Sequence, residues 1–155
     1  MNSVNKTEQY KKALSIIEHL SGADGYQLDG VGKMATVAAI LKMHFPEWIF
    51  VGFYRVTGED TLVIGPYQGA ILACGTIRIG RGVCGQCALQ RKTLIVPDVS
   101  QFPGYIACDD ATVSEIAVPV IKADRLVAVL DVDSGLRGAF DSADQHFLEK
   151  IVHFV

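Results

Sequence analysis

SEIAVPVIKADRLVAVLDVDS, Ser114 to Ser134, decides the architecture. Two runs, SEIAVPVI (114–121) and RLVAVLDVD (125–133), are rich in β-branched residues, and the KAD between them leaves room only for a hairpin turn. The hairpin also carries carboxylates where such strands are usually apolar: Glu115 at one end, Asp131 and Asp133 at the other. Side chains alternate across a strand, so Asp131 and Asp133 share a face. If Ile121 pairs with Leu126, however, Glu115 falls opposite Val132 and points to the other face. Gathering all three acids in one pocket therefore requires an odd loop or a bulge, for which Pro119 is the natural place. The alternative is that the strands have ended and the acids face water.

Upstream of the hairpin, Asn5 and Glu8 have capping-box spacing, and Tyr10, Ala13, Leu14, Ile17 and Leu20 recur at helical intervals until Gly22. A helix is expected over about 6–21. A Gly/Asp-rich loop follows, and Asp29 can cap a second helix whose Val31, Met34, Ala35, Val37, Ala38, Ile40 and Leu41 leave little polar surface, so it should be largely buried and end before Pro46. IFVGFYRV (49–56) and TLVIG (61–65) flank the turn TGED as a first hairpin, and TIRI (76–79) alternates as a third strand. In GRGVCGQCALQRK, Gly82 marks a turn and a short helix runs from about Val83 to Gln90. Strand TLIV stops at Pro97. The stretch from Pro97 to about Val113 has no period, and a loop of that length in a compact domain is usually functional. Asp141 then caps a final helix through Phe147, Leu148, Ile151 and Val152. Six strands, mostly hairpin-linked, with helices at both ends predict an α+β domain built on an antiparallel sheet.

The chain has 155 residues, half of them apolar and a fifth charged, as expected of one domain. No apolar run reaches the roughly 18 residues of a membrane span, and MNSVNKTEQYKK is polar where a signal peptide turns apolar, so a cytoplasmic location is expected. A net charge of -3 without a basic stripe argues against nucleic acid. The chain contains no GxGxxG, P-loop, GxSxG or HExxH motif. His19, His44, His146 and His153 lie in expected helices without catalytic partners.

Chemistry therefore falls to the four cysteines, Cys74, Cys84, Cys87 and Cys108, which in a reducing compartment are free thiols, metal ligands or redox groups rather than permanent staples. Cys84 and Cys87 form a CxxC at a helix start, where the dipole can lower a thiol pKa. A thioredoxin motif would need a βαβ setting, and structural zinc a second ligand pair. Cys87 alone reads best as a small buried filler. Cys108 sits in a polar, glycine-marked loop, where exposure is plausible. Its neighbours Asp109 and Asp110 would raise its pKa, so it is equally well an unreactive loop cysteine or a thiol activated by something else.

VGFY, GPYQG, ILAC, GRGVCG, VPDV, PGYIACD, SEIAVPV and VAVLDVDS, from about Trp48 to Ser134, closely resemble the free methionine-(R)-sulfoxide reductases, a GAF-domain family. The resemblance implies a single GAF-like domain over 1–155, with its core at 29–154. It implies a cytoplasmic oxidoreductase that reduces the R epimer of free methionine sulfoxide through a sulfenic acid and an intramolecular disulfide, recycled by thioredoxin, without cofactor or metal. In the family's pattern Cys108 is the catalytic cysteine, Cys74 the principal recycling cysteine and Cys84 the third. Glu115, Asp131 and Asp133 match the substrate-pocket acids, with Glu115 the expected proton donor and the two aspartates facing the substrate's ammonium. Phe50 and Tyr54 line the pocket, Phe50 where family members usually carry a tryptophan. Such domains are commonly homodimers. The other readings are a non-catalytic GAF sensor of a small ligand or redox state, and a zinc-binding structural module, which stoichiometric metal would reveal.

Overall fold

The structure, a computed structural model, describes residues 3–23 and 27–155, and side chains from Lys6 onward. Two helices, α1 (Ser3–Gly22) and α2 (Gly30–His44), precede strands β1 (Phe50–Thr57), β2 (Thr61–Gly69) and β3 (Thr76–Arg78). Helix α3 (Gly82–Gln90) and strand β4 (Leu94–Val96) follow, then the hairpin β5 (Ser114–Lys122) and β6 (Arg125–Ser134), and α4 (Ser142–Ile151). The strands form one antiparallel sheet in the order β3-β2-β1-β6-β5-β4. The α+β architecture with six antiparallel strands is the one expected.

The sheet separates two apolar layers. On one face Val51, Phe53, Ile116, Val118, Ala128, Leu130 and Val132 pack against α1, α2 and α4. On the other, Tyr54, Leu62, Ala117 and Val129 pack against α3 and the loop after β4. The second layer is thinner, and the candidate site residues collect on its side of the sheet.

The hairpin resolves the parity problem with a bulge, though not at Pro119. Ile121 does pair with Leu126, but Val120 pairs with Ala128, leaving Val127 as the extra residue on β6. Val127 and Ala128 both pack toward the helical layer, so alternation resumes one residue out of step. Glu115 is thereby placed directly opposite Asp133. The turn itself is two residues, Ala123 and Asp124, at φ 46° and 61°, the mirror-image turn that suits strand twist. Strand β2 runs four residues past its expected end, because a bulge at Gly65–Pro66 accommodates the proline opposite β1.

Two helix expectations need correction. Helix α1 starts at Ser3, so Asn5 lies inside it instead of capping it, and Glu8 pairs with Lys11 at 2.8 Å. Helix α2 is capped by Asp29, which accepts from the Gly32 amide at 2.7 Å, but it is buried on one side only, leaving the apolar Val31 and Ala35 exposed. The expected loop after Gly22 falls largely on 24–26, outside the described residues.

Helix α4 docks on α1 through Asp144, whose carboxylate is fully buried. It accepts from the Tyr10 hydroxyl at 2.8 Å, Lys6 Nζ at 2.7 Å and the Asp141 amide at 2.7 Å, the last closing a capping box. A buried charge with a cation and two further donors is stable, whereas removing it strands those donors. Asp144→Ala is expected to lower stability by roughly 2–4 kcal/mol and Tyr10→Phe by about 1 kcal/mol, measured by denaturant titration.

Candidate active site

The register across β1, β6 and β5 assembles the site. Phe50 lies opposite Asp133, Gly52 opposite Asp131 and Tyr54 opposite Val129, while Glu115 lies opposite Asp133. Phe50, Tyr54, Glu115, Asp131 and Asp133 thus point to one face and line one cavity. Gly52 keeps this patch concave: a Cβ there would collide with the Cβ of Tyr67, whose ring stacks on Phe50 at 5.3 Å. The start of α3 supplies Gly82, Val83 and Cys84, and the loop after β4 supplies Tyr105, Ile106, Cys108 and Asp109. Ile71, Leu72 and Ala73 complete the rim.

Cys74 and Cys108 are joined by a disulfide, with Cα atoms 5.2 Å apart. The bond ties the long loop to the segment after β2 across the cavity mouth, leaving a cavity of about 30 Å³, room for a water or two. Cys108 is exposed and Cys74 half-buried. Beyond Cys108, Asp109 fixes the chain: its carboxylate accepts from the Ala111 amide at 2.6 Å and from the amide and hydroxyl of Thr112 at 2.9 and 2.8 Å. The loop is anchored at its base by the Val99 amide on the Val113 carbonyl, and Arg137 pairs with Asp98 at 2.6 Å.

Cys84 is buried at the cavity floor, and its thiol donates to Glu115 Oε1 at 3.6 Å. Burial, with Asp131 and Glu115 nearby, pushes this thiol well above its ordinary range, the reverse of the lowering expected from the helix start. Cys87 lies fully buried in the apolar layer beneath α3 and does not line the cavity. Helix α3 begins with no side-chain cap, Arg81 occupying the cap position, so its first amides are free for a ligand. Gly82 has φ +62°, and a Cβ there would press on Ile106 at 3.3 Å.

The three carboxylates share a cavity that, among the described residues, no Lys, Arg or His lines. Desolvation, then the neighbouring aspartates, pushes Glu115 well up; Asp133 rises for the same reasons; burial takes Asp131 to about 7. At neutral pH the trio retains protons that isolated carboxyls would have lost.

The eight residues singled out in the sequence come together: Phe50, Tyr54, Cys84, Cys108, Glu115, Asp131 and Asp133 line the cavity, and Cys74 is bonded to Cys108. Sequence reasoning passed over the structural part of Asp109, the packing of Tyr67 behind Phe50, and Tyr105. The Asx pattern DDAT after Cys108 could have marked Asp109 as a turn-former.

A thiol pair closed across a buried acidic pocket on such a sheet defines a redox GAF domain, and the GAF domain family matches residues 34–155. "GAF domain-containing protein A" of Dictyostelium discoideum is 46% identical over 96% of this chain and 90% of its own length. The free methionine-R-sulfoxide reductase of Saccharomyces cerevisiae is 38% identical over 99% of this chain and 87% of its own. The X-ray structure of the Neisseria meningitidis free methionine-R-sulfoxide reductase with its substrate superposes with TM-score 0.89 at 39% identity, covering 96% and 87% of the two chains. The chain belongs to the free methionine-(R)-sulfoxide reductase family.

Because the fold holds these carboxyl protons more tightly than the unfolded chain does, stability falls as pH rises from the ordinary carboxylate range to Asp131's value of about 7. Asp131→Asn is therefore expected to stabilise the fold by roughly 1–3 kcal/mol at about pH 8 and to matter little near pH 4, as read by denaturant titration at both.

Proposed function

We propose that this protein reduces free L-methionine-(R)-sulfoxide to methionine, with Cys108 as nucleophile and Cys74 as resolving thiol. The observation that carries this reading is the Cys74–Cys108 disulfide at the mouth of a cavity lined by Glu115, Asp131 and Asp133. The Cys108 thiolate attacks the sulfoxide sulfur while Glu115, kept protonated by its surroundings, delivers a proton to the oxygen. The hydroxyl then passes from the substrate sulfur to the Cys108 sulfur as the bond between the two sulfurs breaks, so methionine, reduced by two electrons, leaves and Cys108, oxidised by two, remains as sulfenic acid. The Cys74 thiol displaces that oxygen as water, forming the disulfide. Cys84, buried and with its pKa raised, is a poorer resolving thiol than Cys74, which favours the ordering given.

Asp131 and Asp133, ionising as the ligand enters, supply the negative charge that an amino acid's ammonium needs, and the uncapped start of α3 faces the cavity as a site for its carboxylate. A peptide-bound methionine lacks that ammonium and leaves an aspartate unpaired, costing several kcal/mol. The loop over 97–113 serves as the lid, since the disulfide-closed cavity is too small for an amino acid. Thioredoxin, the expected reductant, reaches Cys108, the more exposed sulfur, beside the exposed Leu72. The expected homodimer is assigned to the outer face of α2, where Val31, Ala35 and Met43 are exposed.

A thioredoxin-coupled assay of NADPH consumption on free R, free S and peptide-bound methionine sulfoxide tests the reading. Turnover is expected with the free R epimer alone and should vanish in Cys108→Ser. Retained turnover in that variant would sink the assignment, and binding without turnover in the native protein would favour a sensor.

A further inference from the structure

At the cavity floor the Cys84 thiol, the Glu115 carboxylate and the Asp131 carboxylate face one another, all three buried, with one ligand atom from each lying within 4.8 Å of the other two. Cys84 Sγ stands 3.6 Å from Glu115 Oε1. In a tetrahedral zinc site, with Zn–S about 2.3 Å and Zn–O about 2.0 Å, the sulfur-to-oxygen edge is about 3.5 Å. The third corner is supplied by Asp131, whose buried carboxylate is within hydrogen-bonding reach of both Glu115 and Cys84. None of the described cationic side chains lines the cavity.

We propose that Cys84, Glu115 and Asp131 form a binding site for a thiophilic divalent cation, with Zn²⁺ the best fit, in the reduced protein. The donor set of one sulfur and two carboxylate oxygens selects Zn²⁺ over Mg²⁺ or Ca²⁺, which prefer all-oxygen shells. Three protein ligands leave a fourth position within a cavity that Cys108 also lines. Binding replaces the thiol proton by a Cys84–metal bond and releases that proton to water. The site joins α3 to the β5–β6 hairpin, so an occupying cation cross-links the two walls. Its effect on turnover rests on the function proposed above: the cation takes Asp131, the partner of the substrate's ammonium, and so excludes the substrate. The binding itself does not rest on that reading.

The experiment titrates the fully reduced chain with Zn²⁺ against a chromophoric chelator, and with Co²⁺ while following the thiolate-to-metal charge-transfer band. One equivalent per chain with micromolar or tighter affinity is expected, with the sulfur band present. It should persist in the Cys74→Ser/Cys108→Ser double variant and in Cys87→Ser, and weaken about 100-fold in Cys84→Ser and Asp131→Asn, each checked for an intact fold by near-ultraviolet circular dichroism. Absence of stoichiometric binding would overturn the site. So would binding that survives Cys84→Ser but is lost in the double variant, since the cation would then sit on the disulfide-forming pair. In the assay on free methionine-(R)-sulfoxide, Zn²⁺ should raise KM and leave kcat unchanged. Metal binding without any turnover would leave the site standing and remove the proposed function, whereas turnover without metal binding would do the opposite.

Discussion

One extra residue in β6 decides what this sheet can do. With Val127 and Ala128 both directed at the helical layer, every later residue of β6 changes face relative to a regular hairpin. Strict alternation in an unbulged strand would have set Glu115 opposite Val132 and sent it to the other face from Asp131 and Asp133. The bulge instead aligns Glu115 with Asp133 and keeps Val118, Val120, Leu130 and Val132 in the main core. A pocket of three acids and an intact apolar layer are compatible only because the register slips once between the turn and the site.

The same molecule treats buried carboxylates in two ways, and the contrast separates scaffold from site. Asp144 is fully buried yet surrounded by Lys6, Tyr10 and a backbone amide, so its charge is compensated within the fold. Asp131 is almost as buried, but its side-chain partners are another acid, Glu115, and the Cys84 thiol, and among the described residues no cation lines its cavity. A fold optimised for stability alone would not leave such a group in place. Ionising such a group without a counter-charge costs free energy that a cationic ligand offsets, and this is the physical content of calling the cavity a candidate binding site.

Much of this was legible in the sequence because the relevant signals are local. Hydrophobic alternation marked the strands, Asp29 and Asp141 marked helix starts, and the acids at period two in VLDVDS announced a shared face. The bulge was legible only as a necessity: parity showed that one was needed, while its position depends on packing that favours Val127 over Pro119. The Ala123–Asp124 turn carries none of the usual Asn-Gly or Asp-Gly chemistry, and its geometry is imposed by the flanking strands. The exposed face of α2 was misread because alanine and valine suit a surface helix as well as a buried one. Long-range partners such as Lys6 with Asp144, separated by nearly the whole chain, leave no trace in any local window.

The thiols show how burial divides labour among chemically identical groups. Helix position alone would make Cys84 the most acidic thiol, since it sits in the first turn of α3 with the dipole behind it. Burial and two adjacent carboxylates overwhelm that contribution and push its pKa up, because desolvation of a thiolate costs more than a helix terminus returns. Cys108, held on the exposed loop and joined to Cys74, is open to solvent. Cys84 has instead the geometry of a ligand or a proton-sharing partner for Glu115. Exposure sets one sulfur at the mouth of the pocket and burial sets the other at its floor, and both placements follow from where α3 and the 97–113 loop meet the same bulged hairpin.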